Sequence, residues 1–231
     1  RLTQRHDSAW GKDSYQHDPM GRILAHVDPQ GVLTKFFTDP AGDRVIMQSS
    51  GQNSSATAPG SNDTWSREGH HQGAKFRFDR AGHLIRKDNG DEVLDLAWDA
   101  SQRLAASRRT RRSGEVDITL YGYDAQGRRM FKETAGKRTW FGWDGDVMAM
   151  DVVQDQSREF VYRPVSFEPL AMLTDQTLWS INDPNGCPTR LVDGDGHVRW
   201  AASHAVWGQL ATLHVTDVDN PLRLTGQYFD P

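Results

Sequence analysis

A four-residue pattern, Asp-x-x-Gly, recurs along the whole chain and leaves room for little besides β-hairpins. It opens at Asp18, Asp28, Asp39, Asp79, Asp124, Asp183 and Asp193, and closes on Gly21, Gly31, Gly42, Gly82, Gly127, Gly186 and Gly196. Asp99 opens a variant in which Gln102 takes the glycine position. Aspartate suits the first position of a type I turn because its carboxylate accepts a backbone N–H two residues on. The closing glycine supplies the positive φ that ends a hairpin loop with a bulge. Pro19, Pro29, Pro40 and Pro184 each follow the aspartate, where a φ fixed near −65° fits the second turn position. Asp18 to Asp28 is 10 residues, Asp28 to Asp39 is 11 and Asp183 to Asp193 is 10, so only a short strand fits between turns.

Aromatic residues run in phase with these turns. The fullest copy is Leu120-Tyr-Gly-Tyr-Asp-Ala-Gln-Gly-Arg-Arg129, in which Tyr121 and Tyr123 share one face of a strand and Gly122 lies on the other. Phe76 and Phe78 precede Asp79, Trp98 precedes Asp99, and Phe141 and Trp143 precede Asp144. These copies are spaced 20, 25 and 20 residues apart, so each unit reads as two strands with alternate turns at opposite edges. The predicted fold class is all-β, a series of antiparallel hairpins. At roughly 10 residues per strand plus turn the chain holds on the order of twenty strands, about twice what an open twisted sheet carries. The sheet is therefore expected to close or wrap, and a closed sheet that wide cannot fill its own middle with side chains. A hollow, water-lined shell also fits a hydrophobic content of 36% and a mean hydropathy of −0.70.

Asp39 to Asp79 is 40 residues, two units long, so the Gly- and Ser-rich stretch at residues 49–64 reads as a flexible loop inserted in one hairpin connection. Residues 1–231 are then a single repeat segment. The run Arg108-Arg-Thr-Arg-Arg-Ser-Gly114 reads as a second irregular hairpin tip.

Charge and motif content narrow the function. Lys plus Arg number 27 against 31 acidic residues, a net charge of −4, so no global field favours nucleic acid or an anionic membrane. Cys187 is alone, which leaves no internal disulfide and fits a reducing compartment. No apolar run reaches the ~20 residues of a membrane span, and the start, Arg1-Leu-Thr-Gln-Arg-His6, has no signal-peptide core and no initiator Met. The chain reads as a piece of something longer. Asp193-Gly-Asp-Gly196 begins like a calcium loop but lacks the later carboxylates of an EF-hand, so a plain turn is expected. His70, His71 and His83 lack metal-ligand spacing, and Ser166, Ser180 and Ser203 lack a nucleophile elbow. Trp98, Trp143 and the many carboxylates leave a carbohydrate-binding or glycan-cleaving β-protein as the alternative, although both tryptophans occupy the repeat's aromatic position. No catalytic residue, cofactor or metal is expected.

The aromatic-x-aromatic-Asp-x-x-Gly-Arg unit resembles the YD repeat, and the C-terminal region, residues 140–231, resembles the core of Rhs proteins. The matching segments are Gly142-Trp-Asp-Gly-Asp146, Tyr162-Arg-Pro-Val-Ser-Phe-Glu-Pro-Leu-Ala171, Asn182-Asp-Pro-Asn-Gly-Cys-Pro-Thr-Arg-Leu191 and Asn220-Pro-Leu-Arg-Leu-Thr-Gly-Gln-Tyr-Phe-Asp-Pro231. Looser copies extend the resemblance back to about Tyr15. The resemblance implies a large spiralling β-shell, related to that of teneurins, which encloses a C-terminal toxin of interbacterial competition. Delivery is by a bacterial secretion machine such as the type VI apparatus, or by a Tc-type complex. The implied partners are the rest of the shell, the enclosed toxin and secretion-apparatus spike proteins. The implied location is the bacterial cytoplasm before export and the target cell afterwards. The family's self-cleavage motif lies past Gln-Tyr-Phe-Asp-Pro, so no autoproteolytic residue is carried over, and Cys187 stands where members more often have Thr.

Overall fold

The structure, a computed structural model, describes residues 1–38, 44–49, 68–71, 73–206 and 208–230. It divides into two compact units, Arg1–Gly90 and Asp91–Pro231. Every regular element among the described residues is a β-strand, and these number twenty. No helix among them is long and apolar enough to cross a membrane.

In the first unit, β1 (Gln4–Asp7), β2 (Gly11–His17), β3 (Ile23–Val27), β4 (Leu33–Thr38) and β5 (Arg44–Ser49) pair antiparallel in chain order. β6 (Glu68–His71), β7 (Ala74–Phe78) and β8 (Leu84–Asp88) do the same. Asp13 on β2 is buried, and its carboxylate accepts the Arg5 guanidinium at 3.1 and 2.8 Å and lies 2.9 Å from the His26 ring. Asp39 and Gly42 lie outside the described residues, as does the expected loop at 49–64 apart from Ser49, which ends β5.

The second unit is a meander of twelve strands, each paired with the next. They are β9 (Glu92–Trp98), β10 (Leu104–Arg111), β11 (Val116–Tyr123), β12 (Arg129–Thr134), β13 (Lys137–Asp144), β14 (Val147–Val153), β15 (Gln156–Tyr162), β16 (Pro169–Leu173), β17 (Thr177–Asn182), β18 (Pro188–Val192), β19 (Val198–His204) and β20 (Leu210–Thr216). Strand alternation sorts the side chains. In β13, Thr139 and Phe141 are buried while Trp140 is exposed; in β17, Leu178 is buried while Trp179 and Ile181 are exposed.

One face carries the core: Phe141, Met148, Phe160, Met172, Leu178, Leu191 and Trp200. After β20 the chain leaves the sheet, and residues 217–230 double back across this face. Leu222 enters the core, with Val218 and Tyr228 packed against it. Full burial of each such side chain contributes about 1.5–3 kcal/mol. The opposite face leaves Ile118, Leu120, Trp140, Val161, Trp179 and Ile181 between 38% and 54% exposed.

Asp144, the residue that follows the aromatic pair Phe141 and Trp143, pairs with Val147 across the two-residue loop Gly145–Asp146. One local expectation changes. The Arg108 to Arg112 run is not an irregular tip, because β10 extends through Arg111 and only residues 112–114 form the loop. Alternation makes this possible, since Arg109 can pair with Glu92, and Arg111 with Glu115 and Asp117, along the sheet.

Candidate functional site

The repeat turn is a small, complete hydrogen-bonding device. The Asp124 N–H donates to the Arg128 carbonyl at 3.0 Å, and the Gly127 N–H donates back to the Asp124 carbonyl at 3.1 Å. Asp124 Oδ1 accepts the N–H groups of Gln126 and Arg128 at 2.9 Å each. Its Oδ2 accepts Arg128 Nε at 2.7 Å. The same backbone pair closes the turns at Asp18–Gly21, Asp28–Gly31, Asp79–Gly82, Asp183–Gly186 and Asp193–Gly196, and at Asp99–Gln102, where Gln102 adopts φ 62°. The fifth residue matters as much as the fourth. Arg22 and Arg103 bind their aspartates through Nε as Arg128 does, and His83 Nδ1 lies 2.9 Å from Asp79 Oδ2. Arginine also reaches onward: Arg103 Nη1 donates to the Asp124 carbonyl at 3.3 Å and Arg128 Nη1 to the Gly145 carbonyl at 2.9 Å, tying successive turns along one edge.

Gly127 has φ 85°, so Gly127→Val forces a β-branched residue into left-handed backbone and is expected to cost about 1–3 kcal/mol. Gln126→Val keeps an ordinary φ. Thermal melts of the two variants check this, and equal shifts would refute the turn geometry as the cause.

These turns also predict acid sensitivity. Partial desolvation raises the Asp124 carboxyl, but the hydrogen bonds from the Arg128 side chain and backbone outweigh it and hold the group below its ordinary 3.8. At Asp99 the Arg103 N–H is the leading cause of the same lowering. A depressed carboxyl contributes stability that is complete above its unfolded pKa and is lost as pH falls through the folded one. Urea midpoints are therefore expected to drop as pH is lowered past 3.8, and Asp99→Asn is expected to show a smaller drop than the parent.

Three of the aromatics that end these strands have a polar task as well. The Tyr123 hydroxyl donates to the Leu104 carbonyl, Trp143 Nε1 to that of Arg129 and the Tyr162 hydroxyl to that of Met148, each at 2.9 Å. Asn182 Nδ2 takes the same position, donating to the Pro169 carbonyl at 2.7 Å. Leu104, Arg129 and Pro169 begin the second strand of the preceding hairpin and Met148 is the second residue of its strand, each beside a register shift. A bulge leaves ladder groups unpaired, and the aromatic tip supplies the missing donor. Burial accordingly pushes the Tyr162 hydroxyl up to about 12. Tyr121 faces the same way, its hydroxyl 3.1 Å from Ser107 Oγ.

The C-terminal segment is held by charge. Asp151 on β14 is fully buried and accepts Arg158 Nε and Nη2 at 2.8 and 2.6 Å, together with the Tyr228 hydroxyl at 2.8 Å. Arg158 Nη1 donates to Asp219 at 2.6 Å. Desolvation lowers the Arg158 guanidinium, but Asp151 outweighs it and raises the group above its usual value. Asp230 is bound by Arg129 and Lys132, and the Arg129 guanidinium lies 4.5 Å over the Phe141 ring. Thr225 Oγ1 donates to the Asn185 carbonyl at 2.7 Å. None of these partners was paired in the sequence reading, because they stand 7 to 101 residues apart.

The remaining sequence candidates stay apart. Asp193, Asp195 and His197 offer ligand atoms within 4.8 Å of one another, but Asp193 Oδ1 already accepts the N–H groups of Asp195 and His197 as a turn. Ser203 Oγ lies 2.8 Å from His214 Nε2, in a pair on β19 and β20 that no sequence motif announces. Cys187 is buried, with its N–H donated to Asp183 Oδ1 at 3.0 Å.

No family model matches the chain. It is 25% identical over 265 aligned residues to the double-stranded DNA deaminase toxin A of Burkholderia cenocepacia (strain H111), covering 99% of this chain and 18% of that protein. To the probable deoxyribonuclease RhsB of Dickeya dadantii (strain 3937) it is 29% identical over 179 residues, 69% of this chain and 12% of that one. The Tc holotoxin pore of Photorhabdus luminescens superposes over 90% of this chain and 12% of its own, with a TM-score of 0.35 and 12% identity. The chain thus spans less than a fifth of the length of these curated relatives.

Proposed function

We propose that this chain, which is similar to Rhs-type toxins, forms part of the wall of a toxin-enclosing β-shell of that family and has no catalytic task of its own. Its residues 1–231 act as one repeat segment, whose Asp-x-x-Gly turns set the strand register. The observation that carries this reading is the treatment of the two faces of the second unit. One is sealed by the chain's own residues 217–230, while the other exposes a band from Ile118 to Ile181 that a free-standing domain would bury. Such a face suits a wall with contents. The proposed partners are the rest of the shell, a C-terminal toxin held inside it and the spike of a secretion apparatus. The proposed route runs from the bacterial cytoplasm to a target cell.

Electron microscopy of the chain joined to its native flanking sequences tests this. A concave wall around enclosed density is expected; a solid-core particle with nothing enclosed would overturn it. Exposed Trp140 and Trp179 favour a second reading, glycan binding, since stacking on sugar needs an open indole face. Trp143 cannot serve there, because its indole is packed against the core and its N–H is used. Glycan-array binding lost in a folded Trp140→Ala or Trp179→Ala variant would support that reading.

A further inference from the structure

Arg223 is a buried guanidinium of the second unit whose hydrogen-bonding capacity is only partly used. It is 8% exposed and lies 4.8 Å over the Phe229 ring, and among the described residues no ion pair reaches it. Nη1 donates to the carbonyls of Asn220 at 2.6 Å and Leu222 at 2.8 Å. Nε and Nη2 make no hydrogen bond, yet neither is among the sealed, unsatisfied atoms. Arg223 lines a cavity of about 480 Å³, with Trp143, Tyr162 and Phe167 among its walls. The other two guanidiniums there are committed, Arg128 to Asp124 and Arg129 to Asp230. Asp146, also at the lining, is exposed and makes no ion pair with Arg223.

We propose that this cavity is a socket for a carboxylate carried on an apolar group, received by the Nε and Nη2 side of Arg223. A guanidinium whose Nη1 is capped by carbonyls presents its Nε–H and Nη2–H as a parallel fork, the arrangement that matches two carboxylate oxygens. Two carbonyls and the Phe229 ring face offset only part of the cost of burying this charge, so the site gains by taking an anion. Aromatic walls around one oriented cation are the usual make-up of a small-ligand pocket. Burial pushes the Arg223 guanidinium below its ordinary value, against a weaker opposing pull from Asp219. The carboxylate can come from a free organic acid or from an aspartate or glutamate side chain of a polypeptide. The socket lies wholly within the second unit, so its failure and that of the shell reading are separable.

Calorimetric titration of the chain with benzoate, benzamide, inorganic phosphate, and N-acetyl-Leu-Glu-Leu-amide with its Gln counterpart tests this. Benzoate and the Glu peptide are expected to bind and to shift the Arg223 Nε–H resonance, and benzamide and the Gln peptide are expected not to. Arg223→Lys, which keeps the charge and loses the fork, is expected to weaken binding about tenfold or more. Should that variant unfold, Gln227→Glu, which sets a carboxylate at the cavity wall, is expected to abolish binding in folded protein. Tighter binding of the peptide than of benzoate assigns the socket to a polypeptide side chain, and the reverse assigns it to a free acid. Benzamide or phosphate binding as tightly as benzoate, or Gln227→Glu without effect, would overturn the proposal.

Discussion

Asp151→Ala is expected to destabilise the second unit by about 3–5 kcal/mol, the usual cost of removing one partner of a buried ion pair. Asp151 has no exposed surface, and its two oxygens take three donors. Its loss leaves Arg158, 17% exposed, with only the exposed Asp219 as counter-charge, and strands the Tyr228 hydroxyl. The penalty therefore comes from the groups left behind as well as from the bonds removed. A double variant, Asp151→Leu with Arg158→Met, is expected to recover most of the loss, because a buried pair replaced as a unit leaves no orphan charge. Urea unfolding of the three proteins measures the effect. Hydrogen exchange locates it: the Phe229 N–H, bonded to the Pro221 carbonyl, is expected to lose protection in Asp151→Ala before the β9–β10 ladder does. Equal loss of protection at both sites would mean that Asp151 supports the whole sheet rather than the docking of residues 217–230.

That network marks where the sequence stopped being readable. Turn chemistry is local, and Asp124, Gly127 and Arg128 lie within five residues, so spacing alone foretold hairpins, alternating edges and the number of strands. Two-residue loops escaped because they need no Asp-x-x-Gly. Ala135–Gly136 and Gln154–Asp155 turn through positive φ at both positions, in the latter without any glycine. The aromatic phase was visible at Tyr123 and Trp143, but their bonds to the carbonyls of Leu104 and Arg129 depend on bulges whose effect appears only across strands. Least legible was the segment from Asn220 to Asp230. Its residues are as specific as any in the chain, yet Asn220, Leu222 and Arg223 are all buried without the alternation of a strand. Nothing local says that the chain leaves the sheet there, since the hydrogen-bond partners it docks on, from Asn185 back to Arg129, lie 40 to 101 residues earlier.

Gly122→Ala is expected to cost about 1–3 kcal/mol, the range for forcing an extra methyl group into a packed site. Glycine inside a strand is ordinarily a weakness, and alanine there would gain about 0.5–1 kcal/mol if space allowed. Space does not allow it. A Cβ on Gly122 would lie 2.1 Å from Phe131 Cε1 and 2.5 Å from Cζ, because Phe131, its partner on β12, lays its ring over the glycine. Swinging the ring away is resisted on its far side. It meets Trp140 edge-on at 5.5 Å and carries the Arg138 guanidinium 4.5 Å above it, itself paired with Glu133. The two residues form one device, an aromatic covering the backbone that a missing side chain exposes. The decisive measurement is a double-mutant cycle in urea. In a Phe131→Ala background, Gly122→Ala is expected to turn neutral or mildly stabilising, which makes the coupling at least as large as the single-variant loss. If Gly122→Ala costs the same with and without the ring, the glycine is required by the backbone of β11 itself and not by Phe131.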